Sequence, residues 1–167
     1  LPCFTASKSI NAMGGLFGNN SAGERTLKYG QTQDYILSTK IVFSDGVEKV
    51  VKPISLNDIP KQEKIYKQIY DLIKNNKEEI EKAKPNVHKN SAGYYIWNVI
   101  SKRSEGIIPR ASEGSNADFF DLNKLLVGSQ GTLGITTEIT FKLMPNKKYS
   151  KLVAIFMKDL EPLGRLV

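Results

Sequence analysis

The chain has 167 residues, 40% of them hydrophobic and 25% charged, a balance that suits one globular domain with its own core. No apolar run approaches the roughly 18 to 20 residues needed to span a bilayer, and Leu1-Pro2-Cys3-Phe4 has neither the basic flank nor the apolar stretch of a signal peptide, so a soluble, cytoplasmic setting is expected. A single cysteine, Cys3, excludes an internal disulfide, and one histidine, His88, is too few for a metal cluster; the chain's net charge is +7, but the lysines from Lys61 to Lys84 are spread among acidic residues, so neither a metal nor a nucleic-acid partner is expected.

In chain order, the first distinctive stretch is glycine-rich: Met13-Gly14-Gly15-Leu16-Phe17-Gly18-Asn19-Asn20-Ser21-Ala22-Gly23-Glu24-Arg25, running on to Tyr29-Gly30. Glycines let a backbone approach a ligand closely, and successive free N–H groups near a helix start form a surface suited to a pyrophosphate. Composition leaves a second reading open, in which Gly14-Gly15 permits close helix packing and Asn-Asn-Ser-Ala-Gly only turns the chain.

Between Asp34 and Val51 the alternation of Tyr35, Leu37, Thr39, Ile41 and Phe43, followed by Asp45-Gly46 and then Val47, Val50 and Val51, predicts a hairpin with a type I′ turn. Asn57-Asp58 before Pro60 signals a helix start. Ile65, Tyr66, Ile69, Tyr70, Leu72 and Ile73 supply an apolar stripe, so one amphipathic helix is expected from about Pro60 to Lys82, stopped before Pro85. The helical stretch over about 58–84 reads as an insertion. Tyr95, Ile96 and Trp97 are assigned to packing and His88 to an exposed turn, since nothing near His88 pairs with it as an acid–base partner.

Residues 104–118 are rich in Ser, Gly, Glu, Pro and Asn without periodicity and are expected to be a flexible loop. A second glycine-rich stretch follows, Val127-Gly128-Ser129-Gln130-Gly131-Thr132-Leu133-Gly134-Ile135. It matches neither the Rossmann G-x-G-x-x-G nor a phosphate loop ending in Gly-Lys-Ser/Thr, and bulge glycines entering a strand would account for it equally. From Gly134 to Leu143 a strand is expected with Ile135, Thr137, Ile139, Phe141 and Leu143 on its buried face. Lys151 to Met157 is a further expected strand, covered on both sides. Strands in a hairpin with a long helix predict an α+β fold, an antiparallel sheet flanked by helices.

Together the two glycine-rich stretches resemble the FAD-linked oxidase family, which carries the vanillyl-alcohol-oxidase, or PCMH, type of FAD-binding domain and includes D-lactate, glycolate and D-2-hydroxyglutarate dehydrogenases. The resemblance rests on Gly-Gly-x-x-x-Asn-Asn-Ser-x-Gly-Glu-Arg-x-Leu-Lys-Tyr-Gly and on Asp121 to Ile135, and covers roughly residues 9–51 and 121–145. Ala22 stands where glycine or serine is frequent in the family, and Gln130 replaces a frequent glutamate, losing its charge. Lys84 to Trp97 is similar to a Lys-Asn-x-x-Gly-Tyr stretch of the larger members, which would bring Asn90, Gly93 and Tyr94 toward the flavin or substrate.

The resemblance implies that residues 1–167 form the second lobe of an FAD-binding domain. It assigns FAD contacts to Gly14, Gly15, Asn19, Asn20, Ser21 and Gly23, and to Gln130, Gly131, Thr132, Leu133, Gly134, Ile135 and Thr136. The substrate implied is a small 2-hydroxy acid. Its binding groups and the catalytic base would come from a C-terminal cap domain, and a pyrophosphate loop from an N-terminal lobe, neither of which is present here. The chain lacks an initiator methionine and is expected to be a piece of a longer protein, inactive alone and holding FAD weakly or not at all. Read from the residues alone, the other possibility is a non-catalytic module that binds a different phosphate-bearing ligand or nucleotide.

Overall fold

The computed structural model describes residues 1–87, 90–101 and 118–145, and beyond them 148, 149, 151–156, 158, 159 and 164. Most of the 104–118 loop and His88 therefore lie outside the described residues. Among those described, no helix is long and apolar enough to cross a membrane.

Two small antiparallel sheets carry the chain, in keeping with an α+β class. The first has strands β1 (Ile36–Val42), β2 (Glu48–Val51) and β6 (Ile135–Phe141) in the order β2-β1-β6. The second pairs β3 (Ile54–Ser55), β5 (Phe119–Phe120) and β4 (Ile100–Ser101) in the order β3-β5-β4. Short helices α1 (Met13–Gly18), α2 (Thr26–Tyr29) and α5 (Asn123–Leu126) sit in the connections, and α3 (Lys64–Asn75) and α4 (Lys77–Ala83) form the longer helical stretch.

The hairpin is present, with Thr39 opposite Val51 and Val42 opposite Glu48. Its turn differs from the expected type. Gly46 has φ +75° and its N–H donates to the Phe43 carbonyl, but Asp45 is not in the left-handed region, so only one central residue has the positive φ that a type I′ turn needs at both. The connection spans Phe43 to Val47 and closes on Gly46, as in a three-residue hairpin loop.

The expected single helix is broken twice. Pro60 lies in a 3₁₀ turn, Leu56–Lys61, whose cap is Ser55 accepting from the Asn57 N–H, and the α-helix begins only at Lys64. At Asn76 the backbone leaves helical geometry, and the side-chain Nδ2 donates to the Leu72 carbonyl at 2.8 Å, ending α3 before α4 starts. Short amides compete with the helix for backbone partners in this way. The apolar stripe holds for Tyr66 and Ile73, both buried, while Leu72 faces solvent.

The core lies between α3 and the short strands. Phe120 is fully buried, with the Tyr66 and Tyr70 rings at centroid distances of 5.9 and 6.4 Å. Burying such a ring contributes about 1.5–3 kcal/mol, and each tilted or edge-on partner about 0.5–1.5 more. Burial, aided by the charges of Glu63 and Asp121, pushes the Tyr66 phenol up to about 12, so it stays neutral in the core.

Strand β6 departs from the expected alternation. The register runs Lys40 opposite Glu138 and then Ile41 opposite Thr136, which leaves Thr137 unpaired as a bulge. One extra residue inverts the faces beyond it: Ile139 and Phe141 pack on the core, whereas Ile135 is 71% exposed and Thr137 is also outward. Leu143, past the strand, is exposed too. The expected strand over Lys151 to Met157 is absent from its described residues, 151–156. Leu152 and Phe156 are 98% and 96% exposed, because an apolar run makes a strand only against a ladder partner and no described residue supplies one.

Candidate functional site

The two glycine-rich segments, distant in sequence, are hydrogen-bonded to each other. The Gly128 N–H donates to the Phe17 carbonyl and the Gln130 N–H to the Gly18 carbonyl, both at 2.9 Å. Backbone geometry here needs special residues. Gly128 has φ +83°, and a Cβ on it would stand 3.4 Å from Asn20 Cβ; Asn20 itself has φ +43°, which asparagine tolerates better than most side chains. Gln130 also sits in the left-handed region, at φ +53°, and is exposed.

Under this junction lies a buried polar layer built on Asn20, whose solvent exposure is 0%. The Asn20 side-chain oxygen accepts from the Gln33 N–H at 3.0 Å, and its backbone carbonyl accepts from Gln31 Nε2 at 3.1 Å. Gln31 Nε2 donates also to the Asn90 carbonyl at 2.9 Å, tying residues 90–95 to the first segment. Next door, the Ser21 carbonyl accepts from both the backbone N–H and the hydroxyl of Thr32. Asn20 Nδ2 and the Tyr95 hydroxyl are buried without a hydrogen-bond partner among the described residues. Burial pushes the Tyr95 phenol up, and the neighbouring Asn20 and Gln31 amides pull it down.

A second buried network holds the rear of the glycine segment at the entrance to α5. Asn123 accepts from the Thr39 hydroxyl at 2.7 Å and donates through Nδ2 to the Asp121 carboxyl at 2.9 Å. That carboxyl also accepts from the Asn123 N–H at 3.0 Å. Burial holds the Asp121 acid above its usual range, opposed by the Lys124 cation and the Asn123 hydrogen bonds. Lys124 in turn donates to the Gln33 carbonyl at 2.6 Å, linking this network to the layer under Asn20.

The predicted site residues thus divide by position. Gly14, Gly15, Asn19, Gln130, Gly131 and Thr132 form an exposed ledge, and a Cβ on Gly14, Gly15 or Gly131 would meet nothing within 4 Å. The N-cap of α1 is Ala12, which offers its first-turn N–H groups no side-chain acceptor. Asn20 and Ser21 lie beneath the ledge. Gly23 packs elsewhere: a Cβ there would overlap the Phe4 carbonyl oxygen, so this glycine admits the N-terminal segment. Gly134 packs on β1, where a Cβ would come within 2.8 Å of the Val42 carbonyl and Ile41 Cδ1. Leu133 is half-buried against the core, and Ile135 and Thr136 belong to β6.

Of Asn90, Gly93 and Tyr94, the Tyr94 hydroxyl meets Thr132 Oγ1 at 2.9 Å and the Asn90 carbonyl is held by Gln31, while Gly93 turns the chain between them at φ +73°. Tyr95 is buried as the packing assignment required, with the Trp97 ring at 5.3 Å. Gln31, Gln33 and Asn123 were not singled out from sequence. The run Gln31-Thr32-Gln33 just ahead of a strand is a visible signal, but polarity alone does not reveal burial. A separate groove of about 890 Å³ is lined by Phe4, Arg25, Lys28, Met144 and Lys151 among others, and none of the predicted site residues lines it.

Fold and site together define an α+β domain in which two glycine-rich loops, clamped over a buried amide layer, present an open polar backbone ledge. No family model matches the chain. It is 26% identical over 150 residues to the D-2-hydroxyglutarate dehydrogenase of Pantoea ananatis (strain AJ13355), covering 86% of this chain and 13% of that protein. Over 162 residues it is 25% identical to the glycolate oxidase subunit GlcD of Bacillus subtilis (strain 168), covering 97% of this chain and 22% of the relative. A D-lactate dehydrogenase of Anaerostipes hadrus is 26% identical over 149 residues, 89% of this chain and 19% of that protein. The chain thus spans from 13% to 22% of the length of these curated relatives. All three names describe oxidoreductases of small 2-hydroxy acids, which supports the FAD-linked oxidase resemblance at that coarse level.

Proposed function

We propose that this chain is part of the FAD-binding region of a flavin-dependent dehydrogenase or oxidase acting on a small 2-hydroxy acid, and that it supplies one wall of the cofactor site. The observation that carries the reading is the pair of hydrogen bonds from Gly128 to Phe17 and from Gln130 to Gly18, which turns two separate motifs into a single ledge. The residues suit FAD. Gly14, Gly15 and Gly131 leave room for a ligand at backbone distance.

When bound, a flavin would supply the redox chemistry for oxidation of the substrate at its α-carbon. The chain's own part is to bind and orient. Gly14, Gly15, Asn19 and Gln130 to Thr132 hold the cofactor, Asn20 and Gln31 fix the loop backbones from below, and the raised Asp121 acid and neutral Tyr66 lie in the core rather than on the ledge. The base that takes the hydroxyl proton, the substrate-binding groups and the rest of the cofactor site come from further segments of the longer protein.

The test is an absorption spectrum of the intact protein as purified, followed by anaerobic addition of D-lactate, glycolate or D-2-hydroxyglutarate. A flavin band bleached by one of these acids is the expected result. A colourless protein that also fails to take up added FAD overturns the reading and leaves the ledge to another phosphate-bearing ligand.

A further inference from the structure

The Tyr94–Thr132 contact has a direction. Both residues are exposed at the rim of the second glycine segment, with hydroxyl oxygens 2.9 Å apart. Thr132 Oγ1 also lies 2.6 Å from the Ser129 carbonyl oxygen, which has no proton to give. The single threonine proton is therefore committed to Ser129, and the proton between the two hydroxyls belongs to Tyr94, an assignment that follows from the network. The chain of donation runs from Tyr94 to Thr132 to the Ser129 carbonyl.

With both protons spent inside the protein, this corner shows a ligand only lone pairs. A phosphate bears acceptors and gains nothing beside two acceptor oxygens, whereas an N–H or O–H group of a ligand gains a hydrogen bond. The corner is also held in place. Gln31 anchors the Asn90 carbonyl, the Ala92 N–H donates to Asn90 Oδ1 at 2.9 Å, Gly93 turns the chain at φ +73°, and Tyr95 is buried against Gly128.

We propose that the Tyr94–Thr132 hydroxyl pair is a ligand-contacting acceptor site that receives an N–H or O–H donor from the nucleoside-like part of the bound cofactor, its ring or sugar-alcohol chain, and not its phosphates. This rests on the flavin reading and adds the orientation of the flavin along the ledge.

The experiment measures equilibrium binding of FAD and of phosphate-free riboflavin by flavin fluorescence to the intact protein after removal of bound flavin. The wild type is compared with Tyr94→Phe, Thr132→Val and Thr132→Ser. Loss of one such hydrogen bond is expected to weaken FAD and riboflavin alike, by about 3- to 10-fold, in Tyr94→Phe and Thr132→Val, with Thr132→Ser close to wild type. Tyr94 is 46% exposed, so an unchanged melting temperature checks that the variant folds. Unchanged affinities in Tyr94→Phe, or a loss for FAD without one for riboflavin, overturn the proposal. A wild type that takes up neither flavin fails the flavin reading itself, and the proposal falls with it; the two failures are told apart by whether the unaltered protein binds.

Discussion

Replacing Asn123 by alanine removes the side chain that joins α5 to the central strand. Two well-formed hydrogen bonds vanish, the one received from the buried Thr39 hydroxyl at 2.7 Å and the one given to Asp121 at 2.9 Å, along with a longer contact to the Val51 carbonyl at 3.4 Å. A neutral buried hydrogen bond contributes about 1 kcal/mol and one to a carboxylate about 1.5–3, and Thr39, 1% exposed, has no water to turn to, so the loss sums to about 3 kcal/mol. For a domain of this size that lowers the melting temperature by roughly 6–12 °C. Urea titration followed by circular dichroism measures it, as a lower midpoint at unchanged slope. Asn123→Asp supplies the internal contrast: it sets a second carboxyl against Asp121 in a buried site and is expected to cost more than alanine near neutral pH and to recover in acid. A loss below about 1 kcal/mol for Asn123→Ala would show that water or a shifted Thr39 replaces the amide, and the reasoning would fail.

Asp121→Asn keeps an oxygen for the Asn123 N–H groups while removing a buried charge. Because burial raises the acid in the folded state, the native form binds its proton more tightly than the unfolded chain, so wild-type stability falls as pH rises from the unfolded value, near 3.8, through the folded one. The variant should lose that slope and match or exceed the wild type at neutral pH; a stability-pH profile identical to wild type would contradict this. Gly23→Ala is expected to push the Phe4 backbone away and open Cys3, now 2% exposed, to a thiol reagent, read as a faster labelling rate with no change in total thiol. Tyr95→Phe removes a buried hydroxyl that has no partner among the described residues, so stability should stay level or rise by up to about 1 kcal/mol; a clear loss in thermal unfolding would mean that the hydroxyl is paired in solution.

Several features were legible in the sequence because they depend on chemistry close by along the chain. The hairpin over residues 34–51 follows from alternation on either side of Asp45-Gly46, and the buried face of α3 from the spacing of Tyr66 and Ile73. The two glycine-rich segments were likewise visible as candidate site material, since their composition, rather than their surroundings, sets them apart. Element ends were less legible. Asn76 reads as an ordinary helix residue until its side chain is seen on the Leu72 carbonyl.

What tertiary structure alone decided are the relations between distant residues. The bulge at Thr137 arises from the register against β1, and it turned Ile135 outward although the β6 sequence alternates without a flaw. Gly23 and Gly134 look like the other glycines, yet their missing Cβ atoms make room for the Phe4 and Val42 backbones. The apolar run Leu152 to Phe156 carries no strand among the described residues, because a ladder needs a partner that sequence pattern cannot supply. The site itself is of this kind: no local rule brings Gly128 to Phe17 or Tyr94 to Thr132, and only burial of Asn20 and Gln31, each needing partners out of reach of water, draws the three segments into one surface.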